Sequence, residues 1–229
     1  SILARTIDPA LVPAGPNDAV PAAGVGTHYL AADRFTNPGA ASHLVTYTVQ
    51  ATSAAGCISD TRVITLTIAP EPVVANTLNL TQCSDVATNL VLNTDGVSVA
   101  AATYNITSIT IAAGLTAAGS NAVVPAVGVA ANYLAGDLFT NTGGVSRTVT
   151  YVVVGVSVAG CVGDSRTIVV TIDPEPVVSA GLNATVCSDL PIALTLNTNG
   201  TSIAAANYNI TASTISPSEN LYCIWYMPG

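Results

Sequence analysis

The side chains of this chain that could form covalent cross-links or bind a metal are five cysteines and two histidines. Cys57 and Cys161 are 104 positions apart, and so are Cys83 and Cys187, while Cys223 stands near the end of the sequence. Zinc sites usually include ligands that are close in sequence, such as Cys-x-x-Cys pairs, and no such pair occurs here. A disulfide is therefore the chemistry that these cysteines fit best.

Neither histidine belongs to a recurring pattern. His28 corresponds to Asn132 one period later, and His43 corresponds to Arg147. A residue that serves every repeated unit should appear in each copy. General acid–base catalysis uses a histidine or carboxylate with a perturbed pKa in a cleft, and no Ser-His-Asp or Cys-His order stands out. We expect no catalytic residue, no cofactor-binding residue, no cofactor and no enzyme activity.

Four aspartates form recurring pairs: Asp33 corresponds to Asp137, and Asp85 to Asp189. Calcium requires several oxygen ligands at one point, whereas these carboxylates are scattered and lack an Asp-x-Asp-x-Asp-Gly run. We therefore expect no metal site. The more ordinary role is to cap turns by accepting hydrogen bonds from the residue's own backbone.

The charge of the chain argues against nucleic acid and membranes as partners. Its formal net charge is −8 at pH 7, with 5 Lys and Arg residues in total. Nucleic acid requires a cationic face that displaces counterions, and anionic lipid surfaces attract basic segments. A transmembrane helix needs a run of about 18 apolar residues, and no apolar run in this sequence is that long. We expect no nucleic-acid binding and no membrane insertion.

The chain repeats itself with a period of 104 residues and no insertion. Pro70-Glu71-Pro72 returns as Pro174-Glu175-Pro176, and Tyr47 returns as Tyr151. A period of this length is typical of a β-sandwich of about 100 residues. The repetition therefore predicts tandem domains of the same fold.

Alternating apolar and polar residues predict the strands. Residues 45–51 and 64–68 alternate in this way, with Gly56 between them in a position suited to a tight turn. The second copy repeats this hairpin pattern 104 residues later. Leu90 and Leu92 predict another strand, which ends at the following Asp-Gly turn. These patterns predict an all-β fold.

Each Pro-Glu-Pro segment predicts a boundary between domains, because a short Pro-x-Pro joint is a semi-rigid spacer. The expected organisation is the C-terminal part of one repeat over residues 1–69, a complete repeat over 70–173 and the N-terminal part of a third over 174–216. Residues 217–229 depart from the repeat and form a divergent tail.

These motifs together resemble the PKD-like and immunoglobulin-like repeats of large secreted proteins. Residues 46–68 resemble the closing hairpin of such a repeat, and Cys83-Ser84-Asp85 resembles the Cys-Ser-Gly opening of PKD-like repeats in gliding Bacteroidetes. The resemblance implies a rod of immunoglobulin-like sandwiches, exported by a type IX route and used in adhesion or gliding motility. The sequence departs from the pattern because its Trp225 lies outside the repeat, so no core Trp is present.

The phase of the repeat favours a disulfide between Cys83 and Cys161, since both belong to the complete repeat. The closed loop would span 78 positions, which corresponds to a stabilisation of roughly 4–5 kcal/mol. The alternative is a Cys57–Cys83 bridge across the Pro-Glu-Pro joint. In an assembly of chains, Cys187 would pair with Cys57 of the neighbour by the same phase.

We therefore expect a structural or adhesive repeat region of an extracellular cell-surface protein that positions other modules away from the cell. One rival is a subunit of a self-assembling extracellular filament, in which incomplete terminal domains complement each other between chains. A second rival is a carbohydrate-binding module attached to an enzyme. The expected partners are neighbouring repeats of the same or an identical chain, together with a surface glycan or protein ligand.

The scattered aspartates predict the effect of a chelator. EDTA should leave the melting temperature of the chain unchanged, because no site with several converging oxygen ligands is expected. Differential scanning calorimetry with and without EDTA measures this. A fall of several degrees that added calcium reverses would show that the aspartates do bind a metal.

Overall fold

The computed structural model describes residues 1–215, in which every regular element is a β-strand. The predicted all-β fold is confirmed. We use the names module 1 for residues 1–69, module 2 for residues 70–173 and third segment for residues 174–215. The strands are β1 (Ile2–Ile7), β2 (Val12–Pro13), β3 (Phe35–Thr36), β4 (His43–Val49) and β5 (Arg62–Ile68) in module 1, and β6 (Leu80–Cys83), β7 (Thr103–Ile111), β8 (Thr116–Ala118), β9 (Ala126–Val129), β10 (Leu138–Thr140), β11 (Arg147–Val156) and β12 (Arg166–Asp173) in module 2.

Module 2 is built on a five-stranded sheet of order β6-β12-β11-β7-β9, accompanied by a small sheet of β8 and β10. β11 lies at the centre and pairs antiparallel with β12 on one side and β7 on the other. β6 lies along the outer edge of β12 in parallel, with Leu80 beside Val170 and Cys83 beside Asp173. The strand that opens the module is thus paired with the strand that closes it.

Module 1 contains the matching hairpin but fewer strands. Its main sheet has the order β1-β4-β5, and β2 pairs with β3. The predicted hairpin is confirmed in both modules, with Gly56 at a φ of 80° and Gly160 at 79° in the turns. Positive φ of this kind favours glycine, because other residues carry a Cβ that clashes. Within the described residues, no strand pairs with the outer edge of β5.

The core of module 2 has two layers. The first comes from the sheet, where every second residue of β11 and β12 is buried, as expected for strands with one face covered. The second comes from the front of the module, residues 73–92, which crosses over that face. The buried apolar residues of the front are Val74, Ala75, Leu78, Leu90 and Leu92.

The strand predicted at Leu90 and Leu92 is wrong, although both side chains are buried as the prediction required. The backbone N–H of Leu92 donates to the carbonyl of Ala131 over 2.8 Å, and that of Asn89 donates to Ala135 over 2.9 Å. Residues 131–136 form turns, and Asn89 has a φ of 51°. No continuous ladder can form between two such segments, so the front crosses the core as an irregular chain.

A buried aspartate in module 2 is tied to a core tyrosine. The Tyr151 hydroxyl donates to Asp137 Oδ2 over 2.5 Å, and the Ala122 N–H donates to Asp137 Oδ1 over 2.7 Å. Burial, and then the hydrogen bond to Asp137, raise the pKa of Tyr151. The predicted capping role of Asp137 is therefore wrong, because its donors come from other parts of the module rather than from its own turn.

Module 1 contains the same tyrosine–aspartate hydrogen bond, and a cation also contacts the aspartate. Tyr47 donates to Asp33 over 2.5 Å, the Asp18 N–H binds the other carboxylate oxygen, and Arg5 lies 3.1 Å from Asp33. Capping is therefore also the wrong role for Asp33. Burial, followed by the contact with Asp33, raises the pKa of Tyr47 to about 12. Burial opposes ionisation of Asp33, but the bonds from Tyr47, Asp18 and Arg5 lower its pKa overall.

The two tyrosine–aspartate hydrogen bonds predict different losses of stability when the tyrosine is replaced by phenylalanine. Tyr151→Phe should lower the free energy of unfolding by about 1.5–3 kcal/mol, since it removes a donor from a buried carboxylate. Tyr47→Phe should lower the free energy of unfolding by a smaller amount, because Arg5 still contacts Asp33. Guanidinium unfolding of the full chain, monitored by a separate signal for each module, measures both losses of unfolding free energy. Equal losses would contradict the assigned role of Arg5.

Candidate inter-module junction

The place where one module passes to the next is a candidate functional site, because the same polar contacts form there twice. We call the contacts around Pro70–Pro72 the first junction and those around Pro174–Pro176 the second junction. Each consists of a loop of the preceding module, the Pro-Glu-Pro linker and a turn of the following segment.

A buried asparagine organises the loop of the preceding module. In module 2 the Asn141 side-chain amide donates to the carbonyls of Val145, over 3.0 Å, and Ile172, over 2.9 Å. Its Oδ1 accepts the N–H of Gly143 over 3.2 Å. The side chain is buried and its polar atoms are paired, as a buried amide requires. It thereby fastens the loop to the last strand just before the chain leaves the module.

Module 1 has the same arrangement around Asn37. The Asn37 amide donates to Ala41 over 2.8 Å and to Ile68 over 2.9 Å, and its Oδ1 accepts from Gly39 over 3.2 Å. A Cβ at Gly39 would lie 3.3 Å from Asn37 Oδ1, so a larger residue would crowd this bond.

The asparagine loop also binds the linker and the next segment. In the first junction the Glu71 N–H donates to the carbonyl of Asn37 over 3.1 Å, and the Val99 N–H donates to that of Gly39 over 3.2 Å. The second junction repeats both bonds, from Glu175 to Asn141 over 2.9 Å and from Ile203 to Gly143 over 3.1 Å. Two backbone hydrogen bonds thus cross each boundary at equivalent positions.

The turn of the following segment holds the other side of the linker. In the first junction the Val73 N–H donates to Ser98 Oγ over 2.9 Å, and Ser98 in turn donates to Asp95 Oδ1 over 2.8 Å. Bonds from the Ser98 backbone and hydroxyl lower the pKa of Asp95. The second junction replaces Asp95 by Asn199 and keeps the serine bond to the linker, from Val177 to Ser202 over 3.0 Å.

The hairpin of module 2 packs directly on the first linker. A Cβ at Gly163 would overlap the carbonyl oxygen of Pro72, and one at Gly155 would lie 3.2 Å from the Pro72 ring. Val158 and Val99 line a shallow apolar hollow beside Pro70. The linker is therefore enclosed by backbone contacts rather than exposed as a free tether.

The all-β fold agrees with the family whose sequence pattern this chain matches. The model of the PKD-like domain family matches residues 21–72 and 81–176, which together are more than half of the chain. The chain belongs to the PKD-like domain family. Each match ends within one of the two Pro-Glu-Pro segments. No curated protein and no solved structure matches the chain.

Membership of the PKD-like family points to an extracellular domain with a structural or adhesive role, and PKD-like domains are generally not catalytic. Among residues 1–215 there is no helix with the length and apolar character needed to cross a bilayer.

The fold does not bring together the two cysteines of the PKD-like module 2. Cys83 lies beside Asp173, whereas Cys161 lies in the turn of the β11–β12 hairpin at the other end of the sheet. About nine residue steps separate these ends, which corresponds to about 30 Å. A disulfide requires Cα atoms within about 7 Å. Both cysteines are free, and the expected pairing is not supported by this fold.

The remaining cysteines are placed in equivalent ways. Cys57 lies in the turn of the β4–β5 hairpin, at the end of module 1 remote from the linker. The alternative bridge to Cys83 is therefore also not supported. Cys57 and Cys187 are exposed and free. Cys223 and the divergent tail lie outside the described residues.

The other predicted residues make local contacts. His43 lies 3.0 Å from Asp8, and His28 contacts its neighbour Thr27. Asp85 accepts a hydrogen bond from Thr140 over 2.5 Å rather than from its own turn, which corrects its predicted capping role. Burial, followed by the repulsion of nearby Asp85, raises the pKa of Glu175. Among residues 1–215, no group of three or more His, Cys, Asp or Glu side chains could hold a metal ion.

The junction asparagines were not predicted from the sequence, although a signal for them was present. Asn37 and Asn141 are separated by one period, and each is followed two residues later by glycine. A polar residue that recurs beside a predicted boundary could have been recognised as structural. The three side-chain hydrogen bonds of each asparagine depend on loop geometry, which periodicity does not reveal.

The junction contacts predict a fixed orientation between modules 1 and 2. Insertion of Gly-Gly between Pro70 and Glu71 should broaden the distribution of distances between module 1 and module 2, because it displaces the hydrogen bonds to the carbonyls of Asn37 and Gly39. Single-molecule FRET between dyes at Ala10 and Val127 measures this, in a chain whose native cysteines are replaced by serine. Insertion of Gly-Gly after Gly119 is the matched control and should leave the distribution narrow. An equally broad distribution in the uninterrupted chain would contradict the prediction.

Proposed function

We propose that this PKD-like chain is a repeat region of a secreted cell-surface protein and serves to position further modules away from the cell. The recurrence of the same hydrogen bonds at both junctions is the observation that carries the proposal. If each module meets the next through the same contacts, each adds the same step in distance and rotation. A repeat array with defined steps is suited to hold a terminal module at a set distance.

The placement of the aromatic residues favours this spacer role over carbohydrate binding. Carbohydrate-binding modules usually present exposed aromatic rings to the sugar. Here Tyr47, Tyr104 and Tyr151 are buried in the cores. Tyr29 and Tyr133 are half-buried, and their hydroxyls donate to backbone carbonyls within their own modules.

The biological setting of the proposal rests on the sequence resemblance. Large surface proteins of gliding Bacteroidetes contain PKD-like repeats with a similar Cys-Ser-Gly opening, which Cys83-Ser84-Asp85 resembles. We infer a role in adhesion or gliding motility, with export by a type IX route. A glycan or protein ligand would then bind a module elsewhere in the array, and this region would provide the reach.

Surface labelling of intact cells tests the proposal. An antibody raised against module 2 should label living cells of the source organism, and external protease should remove the label while a cytoplasmic marker stays intact. The purified 229-residue chain should show no binding on a glycan array. Label that appears only after cell lysis would contradict the surface location, and saturable glycan binding would favour the carbohydrate-binding alternative.

A further inference from the structure

Each Pro-Glu-Pro linker holds its glutamate close to an aspartate of module 2. Glu71 of the first linker lies near Asp164 of the β11–β12 hairpin, and Glu175 of the second linker lies near Asp85 of the front. Each of these four residues is acidic again one period away in the sequence. A residue that serves every repeat should recur in this way, so the two acidic pairs belong to the design of the junctions.

Backbone contacts on both sides fix the first pair. The Glu71 N–H donates to the carbonyl of Asn37 over 3.1 Å, which holds the linker on module 1. On the opposite side, a Cβ at Gly163 would overlap the carbonyl oxygen of Pro72. Because Gly163 precedes Asp164 and Pro72 follows Glu71, this close approach brings the two acidic residues together.

One loop of module 2 fixes the second pair. Asp85 Oδ1 accepts the hydroxyl of Thr140 over 2.5 Å, and the Glu175 N–H donates to the carbonyl of the next residue, Asn141, over 2.9 Å. The Asn141 N–H donates to Ser84 Oγ over 2.8 Å, directly beside Asp85. The aspartate and the linker glutamate are therefore bound to adjacent residues of the same loop.

No cation neutralises either pair within residues 1–215, because none of the four carboxylates forms an ion pair there. Two basic side chains approach the asparagine loops of the junctions, but each has another partner. Arg147 lies against the loop of the second junction and donates to the carbonyl of Ala113. His43 lies beside the loop of the first junction and pairs with Asp8 over 3.0 Å.

Two other carboxylates at the junctions have hydrogen-bond donors of their own. Asp95 accepts the Ser98 hydroxyl over 2.8 Å, and Asp173 accepts the Ser146 hydroxyl over 2.5 Å. Bonds from the Ser98 backbone and hydroxyl lower the pKa of Asp95. The ionised form of Asp95 is thus the one that its junction stabilises.

The linker glutamates are in the opposite situation. Burial, followed by repulsion from Asp164, raises the pKa of Glu71. Burial, followed by repulsion from Asp85, raises the pKa of Glu175, and a bond from Ser84 offsets part of this effect. Burial and a neighbouring like charge both disfavour an ionised carboxyl group.

We propose that the two linker glutamates make the junctions sensitive to pH, so that protonation fastens each linker to module 2 and ionisation loosens it. A protonated carboxyl group has an O–H donor that a neighbouring carboxylate can accept, whereas two ionised carboxylates repel each other. The same contact is therefore attractive in acid and repulsive near neutrality. The inference concerns the junctions alone and holds whether or not the chain lies at the cell surface.

The direction of the effect follows from the raised pKa of each docked glutamate. The extra stability of the docked linker is complete below the pKa of a free glutamate, about 4.3. It is lost as the pH rises through the higher pKa of the docked glutamate. A row of such modules is thus stiffer in acid than at neutral pH.

Hydrogen exchange of the linker amides in the 229-residue chain tests the proposal. The N–H groups of Glu71 and Glu175 donate to the asparagine loops, so their exchange reports release of each linker. NMR should show protection, relative to the unfolded chain, that rises several-fold from about pH 7 to about pH 4, by up to about tenfold for each unit of raised pKa. A reducing agent keeps the exposed cysteines from linking chains.

Two substitutions assign the effect to the glutamates. Glu71→Gln should make protection at residue 71 independent of pH and leave the dependence at residue 175 intact, because the amide keeps the length of the side chain but does not ionise. Glu175→Gln should give the converse result. Each variant is thus the matched control for the other, and the unaffected junction shows that the chain is still folded.

Two results would overturn the proposal. One is equal protection of both amides at the two pH values in the original chain. The other is a pH dependence at residue 71 that persists in Glu71→Gln, which would assign the effect to His43, since a histidine also titrates in this range.

Discussion

The stability of module 2 depends on covering one apolar face of its β11–β12 hairpin. Every second residue of β11 and β12 points to that face, so the hairpin alone would leave a row of Val, Ile and Tyr side chains in water. Burying such a side chain contributes about 1.5–3 kcal/mol. The front of the module supplies this cover and pairs with the edge of the sheet in the same crossing. The remaining features, from the tyrosine ties to the junction loops, are built around that covered face.

Sequence periodicity was informative wherever the structure is itself periodic. The hairpins were predictable because strands expose alternate residues to a core, and the turns were predictable because Gly56 and Gly160 must adopt a positive φ. The burial of Leu90 and Leu92 was predictable from their character, but their backbone conformation was not. That conformation depends on a turn-rich partner about 40 residues away, which leaves no periodic trace.

The cysteines and aspartates show why contacts are harder to predict than elements. The repeat phase assigns Cys83 and Cys161 to one repeat, but it carries no information about which end of the sheet each occupies. Parallel pairing of β6 with β12 places Cys83 at the end where the chain leaves the module. Asp33 and Asp137 recurred for a reason other than turn capping, since a tyrosine 14 residues later also recurs and donates to each of them.

The parallel pairing of β6 with β12 also determines how a module would respond to mechanical tension. The chain enters through the front that contains β6 and leaves at the end of β12, so a pull on the two ends moves these strands in opposite directions along their length. The hydrogen bonds between Leu80–Cys83 and Val170–Asp173 are then loaded in shear. They must break together rather than one after another, whereas strands peeled apart from one end yield bond by bond. In module 2, the closing strand β12 would thus act as a mechanical clamp on the opening strand β6.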